Sequence, residues 1–342
     1  FKNVPGTKIA VFYPENGVSE IQRLQMITQE GENVSVAAIR GNFDDTQSAV
    51  KGIFTDEGFN SELDGKGYIL SSANSINWGR LVPQIVYYFS SYCDLMQNEE
   101  IKPDEMINFV VPTGNFGDIL AGYYAKLLGL PVNRLICASN KNNILTDFVN
   151  TGVYDINRSF YTTSSPSMDI LISSNLERFL FDITGRDFAR IKSWMKDLQQ
   201  QGRYEVPTIT KNKIKEVMWA GYCGEEDTLM SIKDTFEAYD YIMDPHTAVA
   251  KNVYDQYLFE TGDTTKTIIL STASPFKFNK SVMTALKGDE VGNAGEFKLL
   301  EMLSSVSGMK IPESLLGLKN KEIRFEDALS SNEIKDFVRR YC

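Results

Sequence analysis

The sequence predicts an α/β protein whose mostly parallel sheets are flanked by helices, and two observations carry that expectation. Short apolar runs rich in β-branched residues alternate along the chain with longer amphipathic stretches of helical period. At three places such a run ends in a cluster of Ser, Thr, Asn and Gly from which a helix starts at once. That arrangement gathers polar groups at the carboxyl ends of parallel strands, where ligands of such sheets bind.

In chain order, residues 8–13 read as the first strand and 21–29 as the helix after it. Residues 34–39 and 44–54 repeat the pair. Gly58, Asn60, Asp64, Gly65 and Gly67 then cluster between a helix and a run at 68–71 that reads as a strand, which marks a domain seam. A long helix over 79–96, a strand over 107–111, a helix over 116–128 and a strand over 135–138 follow. From about residue 173 to 256 the pattern is helical, punctuated by Gly185, Gly202, Pro207, Gly221 and Gly224. A strand is expected at 267–271, and beyond Pro275 the chain reads as helical apart from the turn-rich 288–295.

Bulk properties exclude several classes of function. The chain has 342 residues, 42% of them hydrophobic, enough for one large core or two domains. Its apolar runs are short and broken by charge, as at 107–112 and 267–270, so none could span a bilayer and no membrane partner is expected. A formal net charge of −10 argues against a nucleic-acid partner, because phosphate backbones call for a basic face. The scattered Cys93, Cys137, Cys223 and Cys342 have neither paired nor metal-type spacing, which fits reduced thiols, a cytoplasmic location and no bound metal. The single histidine, His246, leaves acid–base work to lysine, carboxylates or a cofactor, and reads as a hydrogen-bonded structural residue at a helix start.

Three strand-to-helix junctions carry the candidate chemistry. In Thr113-Gly114-Asn115-Phe116-Gly117 two glycines let the backbone approach a ligand, and the free N–H groups of the new helix, with the Thr113 hydroxyl, can face a phosphate. The same residues also suit an ordinary strand-to-helix turn. In the stretch from Ser71 to Arg80, Asn74, Ser75 and Asn77 can cap the long helix. Arg80 then falls in the first turn, where the helix dipole disfavours a cation, so either a bound anion or a structural ion pair is needed to hold it. At the third junction, Ser271-Thr272-Ala273-Ser274-Pro275, Ser274 suits an N-cap and Pro275 the first turn, while Thr272 offers a hydroxyl at the strand end. Three polar strand ends in one sheet can converge on one cleft.

With these junctions in place, the chain resembles the threonine synthases, enzymes of fold type II that use pyridoxal 5'-phosphate. The resemblance rests on Val-Phe-Tyr-Pro-Glu-Asn-Gly-Val-Ser at 11–19, Gln22-Arg23-Leu24-Gln25-Met26, Gly41-Asn42-Phe43-Asp44-Asp45 and Asn74-Ser75-Ile76-Asn77-Trp78. It continues through the 112–117 loop, Ser165-Pro166-Ser167-Met168-Asp169-Ile170, Asp244-Pro245-His246-Thr247-Ala248 and Thr272-Ala273-Ser274-Pro275. It implies conversion of O-phosphohomoserine and water to L-threonine and phosphate. It further implies that Thr113, Gly114, Asn115, Phe116 and Gly117 hold the cofactor phosphate and that Thr272 meets the pyridine nitrogen. Ser75, Asn77 and Arg80 are then candidates to anchor the substrate's anionic groups, with Lys277 as a further phosphate contact. Residues 1–66 would be the remainder of a small domain, and 67–342 a large cofactor-binding domain with a helical insertion and C-terminal helices.

The resemblance also points to something missing. The family's Schiff-base lysine lies in an Ala-Phe-Lys-Asp type motif that should precede Phe1, and no lysine of this sequence occupies that context. Lys2 does not qualify, because Val4-Pro5-Gly6-Thr7 leads straight into a part of the family pattern well downstream. The chain alone is therefore expected to be inactive, with no catalytic residue of its own and the N-terminal portion of the same protein as its partner. Asp118 raises a separate expectation, since a carboxylate beside a phosphate is unfavourable unless it points away. Three alternatives stand beside this reading: a related phospholyase, which would share these motifs; a dehydratase, against which residues 74–78 and 165–170 argue; and a non-catalytic binding module on the same sheet.

Overall fold

The computed structural model describes residues 2–15, 17–41 and 43–342, without the side chains of Phe43, Asp44 and Asp289; Phe1, Asn16 and Asn42, quoted in the motifs above, lie outside the described residues. Strands run in chain order at Ile9–Pro14 (β1), Val34–Ile39 (β2), Ile107–Pro112 (β3), Val132–Ser139 (β4), Val153–Asp155 (β5), Arg203–Glu205 (β6), Met218–Tyr222 (β7), Thr267–Ile269 (β8) and Ala328–Leu329 (β9). The chain divides into two compact units, Phe1–Ser71 with Phe276–Cys342, and Ser72–Pro275.

In the smaller unit β1, β2 and β9 form a parallel sheet in that order, with Ile9 to Pro14 paired on Val34 to Ile39 and Ala38 and Ile39 paired on Ala328 and Leu329. The central strand β2 is buried along its whole length, as a parallel strand covered on both faces must be. Helix Glu20–Ile27 starts at a capping box in which the Ser19 hydroxyl and the Gln22 side chain satisfy each other's backbone N–H groups. Residues 276–342, expected with the large domain, belong here instead. Leu329 extends the sheet and Ile334, Phe337 and Val338 complete a core with Ile39, Phe59 and Leu63. The stretch 68–71 forms no strand. After Gly67, at φ +81°, the Tyr68 N–H returns to the Leu63 carbonyl at 2.9 Å and closes the preceding helix, using the donor that a ladder would need.

The larger unit is built on a four-stranded parallel sheet of order β7-β4-β3-β8, with β5 and β6 as a separate antiparallel pair. Alternation along the two central strands sorts their side chains to opposite faces. Phe109, Val111, Leu135 and Cys137 pack against helices Trp78–Gln97 and Gly117–Leu127. Val110, Ile136 and Ala138 pack against Val249, Ala250 and Val253 of helix Pro245–Thr261. The helices on the first face approach closely, and a Cβ on Gly122 would stand 2.6 Å from the Tyr88 ring. The stretch expected to be helical, 173–256, also contributes β6 and β7, and β7 pairs with β4 from Leu135↔Met218 to Ser139↔Tyr222. The two central and one outer strand end at Pro112, Ser139 and Ile269, and the loops that follow build the site.

Candidate functional site: a phosphate-sized cleft at the strand ends

The loop after β3 enters helix Gly117–Leu127 through Phe116, which takes a left-handed conformation (φ 54°, ψ 3°) and buries its ring against Phe179. Leu120 is the first residue of this helix whose N–H finds an acceptor, the Phe116 carbonyl at 3.1 Å. Among the described residues the N–H groups from Gly114 to Ile119 have no acceptor within the chain. A helix start leaves such donors to be met from outside, and its dipole favours an anion there. The loop carbonyls, by contrast, are tied back: Ser173 Oγ donates to the Gly114 carbonyl at 2.7 Å and Asn175 Nδ2 to the Asn115 carbonyl at 2.9 Å. Ser174 Oγ adds a bond to Asn115 Oδ1 at 3.0 Å. The donors are thereby left as the free edge of the loop.

Both glycines are required for space. A Cβ on Gly114 would lie 2.4 Å from the Ser167 carbonyl oxygen, and one on Gly117 would lie 2.7 Å from Ser75 Cβ and Oγ. The Ser167–Met168 segment is itself anchored. Asp169 sits in a cage of donors, receiving Asn140 Nδ2 at 2.8 Å, Asn142 Nδ2 at 3.0 Å, Thr163 Oγ1 at 2.7 Å and the Thr163 N–H at 2.9 Å. On the other side the Ser167 N–H donates to His246 Nε2 at 3.4 Å, and His246 Nδ1 lies 2.8 Å from the fully buried Asp244. His246 therefore holds the loop facing Gly114, with the tautomer set by Asp244.

These segments enclose a cleft of about 250 Å³ lined by the whole Thr113 to Gly117 loop together with Ser75, Gln84, Asp118, Ser167, His246, Thr272 and Ala273. Of the residues singled out in the sequence, the structure brings Thr113, Gly114, Asn115, Phe116, Gly117, Thr272 and Ser75 to one place. The Thr113 hydroxyl, expected as a ligand donor, instead donates to the Val111 carbonyl at 2.7 Å, so the loop's donors are backbone groups. Asn77 caps helix Trp78–Gln97, accepting from the Gly79 N–H at 2.9 Å and donating to the Ser72 carbonyl at 2.9 Å. Arg80 is exposed in the first turn of that helix and, like Asn77, does not line the cleft. Lys277 belongs to the smaller unit, where its carbonyl accepts from Ser19 Oγ.

Ser173, Ser174, Asn175, Gln84 and the Asp169 cage were not singled out for a role by sequence reasoning. The polar run 173–175 immediately before a helix was a signal for the first three, whereas Gln84 carried none. Among the described residues Asp118 is the one carboxylate lining the cleft. Burial pushes its carboxyl up to about 6, against the opposing hydrogen bond from the Tyr88 hydroxyl at 3.1 Å. Cys137, behind the loop, is pushed up to about 12 by burial and stays a neutral thiol. Among the described residues no lysine lines the cleft. Among the described residues no group of His, Cys, Asp and Glu is placed to hold a metal, and no helix is long and apolar enough to cross a membrane. The arrangement suits a small anion with several acceptor oxygens, such as a phosphate monoester, seated on backbone donors.

Comparison with known proteins agrees with this geometry. The family described as "Threonine synthase, C-terminal" matches residues 247–338. Threonine synthase-like 1 of Macaca fascicularis is 39% identical over 337 residues, 97% of this chain and 45% of that protein. The threonine synthase of Eremothecium gossypii is 35% identical over 346 residues, 96% of this chain and 63% of that protein. This chain thus spans between about half and two thirds of the length of these relatives. A crystal structure of PLP-bound threonine synthase from Brucella melitensis superposes with a TM-score of 0.81 at 36% identity, over 100% of this chain and 67% of that one. Over nearly its whole length, then, in sequence and in fold alike, the chain belongs to the threonine synthase family.

Proposed function

We propose that the cleft is the seat of pyridoxal 5'-phosphate and that the protein of which this chain forms part converts O-phosphohomoserine and water to L-threonine and phosphate. The observation that carries the reading is the row of unclaimed N–H groups from Gly114 to Ile119 at a helix start, beside two glycines where a Cβ has no room. When bound, the cofactor supplies an electron sink that permits loss of protons at Cα and Cβ and departure of the γ-phosphate.

The chain's own residues bind and orient. The Gly114 to Gly117 backbone holds the cofactor phosphate, and Thr272 meets the pyridine nitrogen with a neutral hydroxyl that does not keep a proton on it. Ser75 Oγ accepts from Asn175 Nδ2 at 3.1 Å, which leaves its own hydrogen for an anionic oxygen of the substrate. Asn77 acts through its cap, fixing the turn that carries Ser75, and we assign Arg80 to a charged group of the substrate. Among the described residues none that lines the cleft is a lysine, so this reading places the lysine that tethers the cofactor aldehyde, and serves as base, outside this sequence. The chain alone would bind the cofactor and not turn over.

Equilibrium binding of pyridoxal 5'-phosphate and of pyridoxal to this chain tests the seat. The phosphate should raise affinity by at least about a hundredfold, in line with several charge-assisted hydrogen bonds. Equal binding of the two would sink the proposal, as would phosphate release from O-phosphohomoserine by this chain alone. The likeness to threonine synthase-like 1 keeps a second reading in view, a phospholyase that releases phosphate from a related phosphoamino acid without adding water at Cβ. The product of the longer protein decides between them: threonine for the first, a 2-oxo acid with ammonia for the second.

A further inference from the structure

Asp118 puts a negative charge where the proposed ligand is negative. It is the second residue of helix Gly117–Leu127 and lines the same cleft as the unclaimed N–H groups. Among the described residues the only side chain that hydrogen-bonds its carboxylate is Tyr88, whose hydroxyl reaches both Oδ1 at 3.1 Å and the Asp118 carbonyl at 2.8 Å. No lysine or arginine faces it among the described residues. A carboxylate at a helix start can itself answer the free N–H groups while the ligand is away. A phosphate dianion arriving on those donors then meets a like charge in a partly desolvated cleft, and one of the two has to give up charge or affinity.

We infer that the cleft binds phosphate monoesters with uptake of one proton at the Asp118 carboxyl, so that Asp118 makes occupancy of the seat depend on pH. The inference rests on the phosphate-seat reading above. Asp118 is already partway to the neutral form, since burial pushes its carboxyl up to about 6 without a ligand. A bound dianion pushes it further, and the neutral acid can then donate to a ligand oxygen where the anion could only repel it.

The surrounding titratable groups leave Asp118 as the group that takes the proton. Tyr88, from helix Trp78–Gln97, is raised well above the ordinary tyrosine range by burial and remains a neutral donor. His246, from helix Pro245–Thr261, has Nδ1 committed to Asp244 and Nε2 to the Ser167 N–H. Asp169, beyond the Ser167 segment, is also raised by burial, but it does not line the cleft and both of its oxygens are held by amide and hydroxyl donors that favour the charged form. Cys137, under the loop, stays protonated at any pH of interest. Ser75 and Gln84, which complete this side of the cleft, do not titrate.

The test is calorimetric binding of pyridoxine 5'-phosphate, which carries the phosphate without a reactive aldehyde, to the 342-residue chain and to Asp118→Asn from pH 5.5 to 8.5. Buffers of different ionisation enthalpy count the protons. The native chain should take up about one more proton than the variant at pH 8, and the ratio of their affinities should widen about tenfold per pH unit above 6 before levelling. At pH 5.5 the two should bind within a few-fold of each other. Tyr88→Phe provides a second arm: it removes the hydroxyl that favours the charged carboxylate, so the pH at which affinity starts to fall should move up. Equal proton counts and a pH-independent affinity ratio, with both proteins still preferring pyridoxine 5'-phosphate to pyridoxine, would overturn the coupling and leave the phosphate seat standing. Loss of that preference in the native chain at pH 5.5 would overturn both.

Discussion

Replacing Gly114 by alanine tests whether the cleft is shaped by backbone contact. Gly114 does not have a positive φ, so alanine meets no conformational penalty there and any effect comes from space. Its Cβ would stand 2.4 Å from the Ser167 carbonyl oxygen, whereas ordinary contact begins at 3.4 Å, so the two loops must part by the difference, 1.0 Å. Both sides of the contact are main chain, and the Ser167 side is tethered through His246 and the Asp169 cage. Relief by rotating a flexible side chain is therefore closed off. Overpacking of this kind costs about 1–3 kcal/mol, and the rigid partners put this case toward the upper end.

Urea denaturation followed by tryptophan fluorescence isolates the unit concerned, because Trp78, Trp194 and Trp219 all lie in Ser72–Pro275. The midpoint should fall by roughly 1–1.5 M for a loss of about 2–3 kcal/mol at a slope near 2 kcal/mol/M. Phosphate-ester affinity should fall together with stability, because a displacement of about 1 Å misaims the donors, and errors of that size cost up to about a hundredfold where geometry is strict. A variant with native midpoint and native affinity would refute the steric argument. Native stability with lost binding would refute only the claim that the Ser167 loop is held rigidly.

Two further perturbations probe the supports of the site. Asp263, in the connection between helix Pro245–Thr261 and β8, is pushed up by burial, but hydrogen bonds from Thr265, Tyr257 and Asn108 outweigh that and hold its carboxyl well below the usual range. A depressed folded pKa means stability that is present above the unfolded value near 4 and lost as pH falls through the folded one. Much of the Asp263 side chain faces solvent, which screens the interaction, so Asp263→Asn should cost about 0.5–1.5 kcal/mol at pH 7, and the deficit should shrink steadily below pH 4, as denaturation at a series of pH values would show. A deficit unchanged at pH 3 would mean that packing and not charge is at stake. His246→Ala strips a hydrogen-bond partner from the fully buried Asp244, and a loss of about 2–3 kcal/mol is expected, with Asp244→Asn restoring part of it in the double variant. Full additivity of the two would show that the residues do not act as a pair.

What was legible in the sequence and what was not follow from how far apart the interacting residues are. The two-sided burial of β3 and the loop behind it could be read locally, because an apolar run, two glycines and a helix start are adjacent in the chain. The Asp169 cage joins residues up to 29 positions apart, and the Asp244 to His246 pair reaches the Ser167 loop across 79, so no spacing rule singles them out. The two residues of β9 are too few to show a period, so nothing local ties the C-terminal segment and its amphipathic helix Ile334–Tyr341 to the smaller unit's sheet. The loop itself separates two kinds of glycine reasoning. Its one left-handed residue is Phe116, a position where glycine would be the default, and its glycines stand instead where neighbouring chain passes too close for a Cβ. Phe116 is kept in that conformation by burial of its ring against Phe179, so the turn that aims the free N–H groups is enforced by the hydrophobic core. The geometry of the anion seat is thus set from behind the sheet and from the 167 loop, and a sequence that kept every residue from 113 to 117 while losing either support would keep the motif and lose the site.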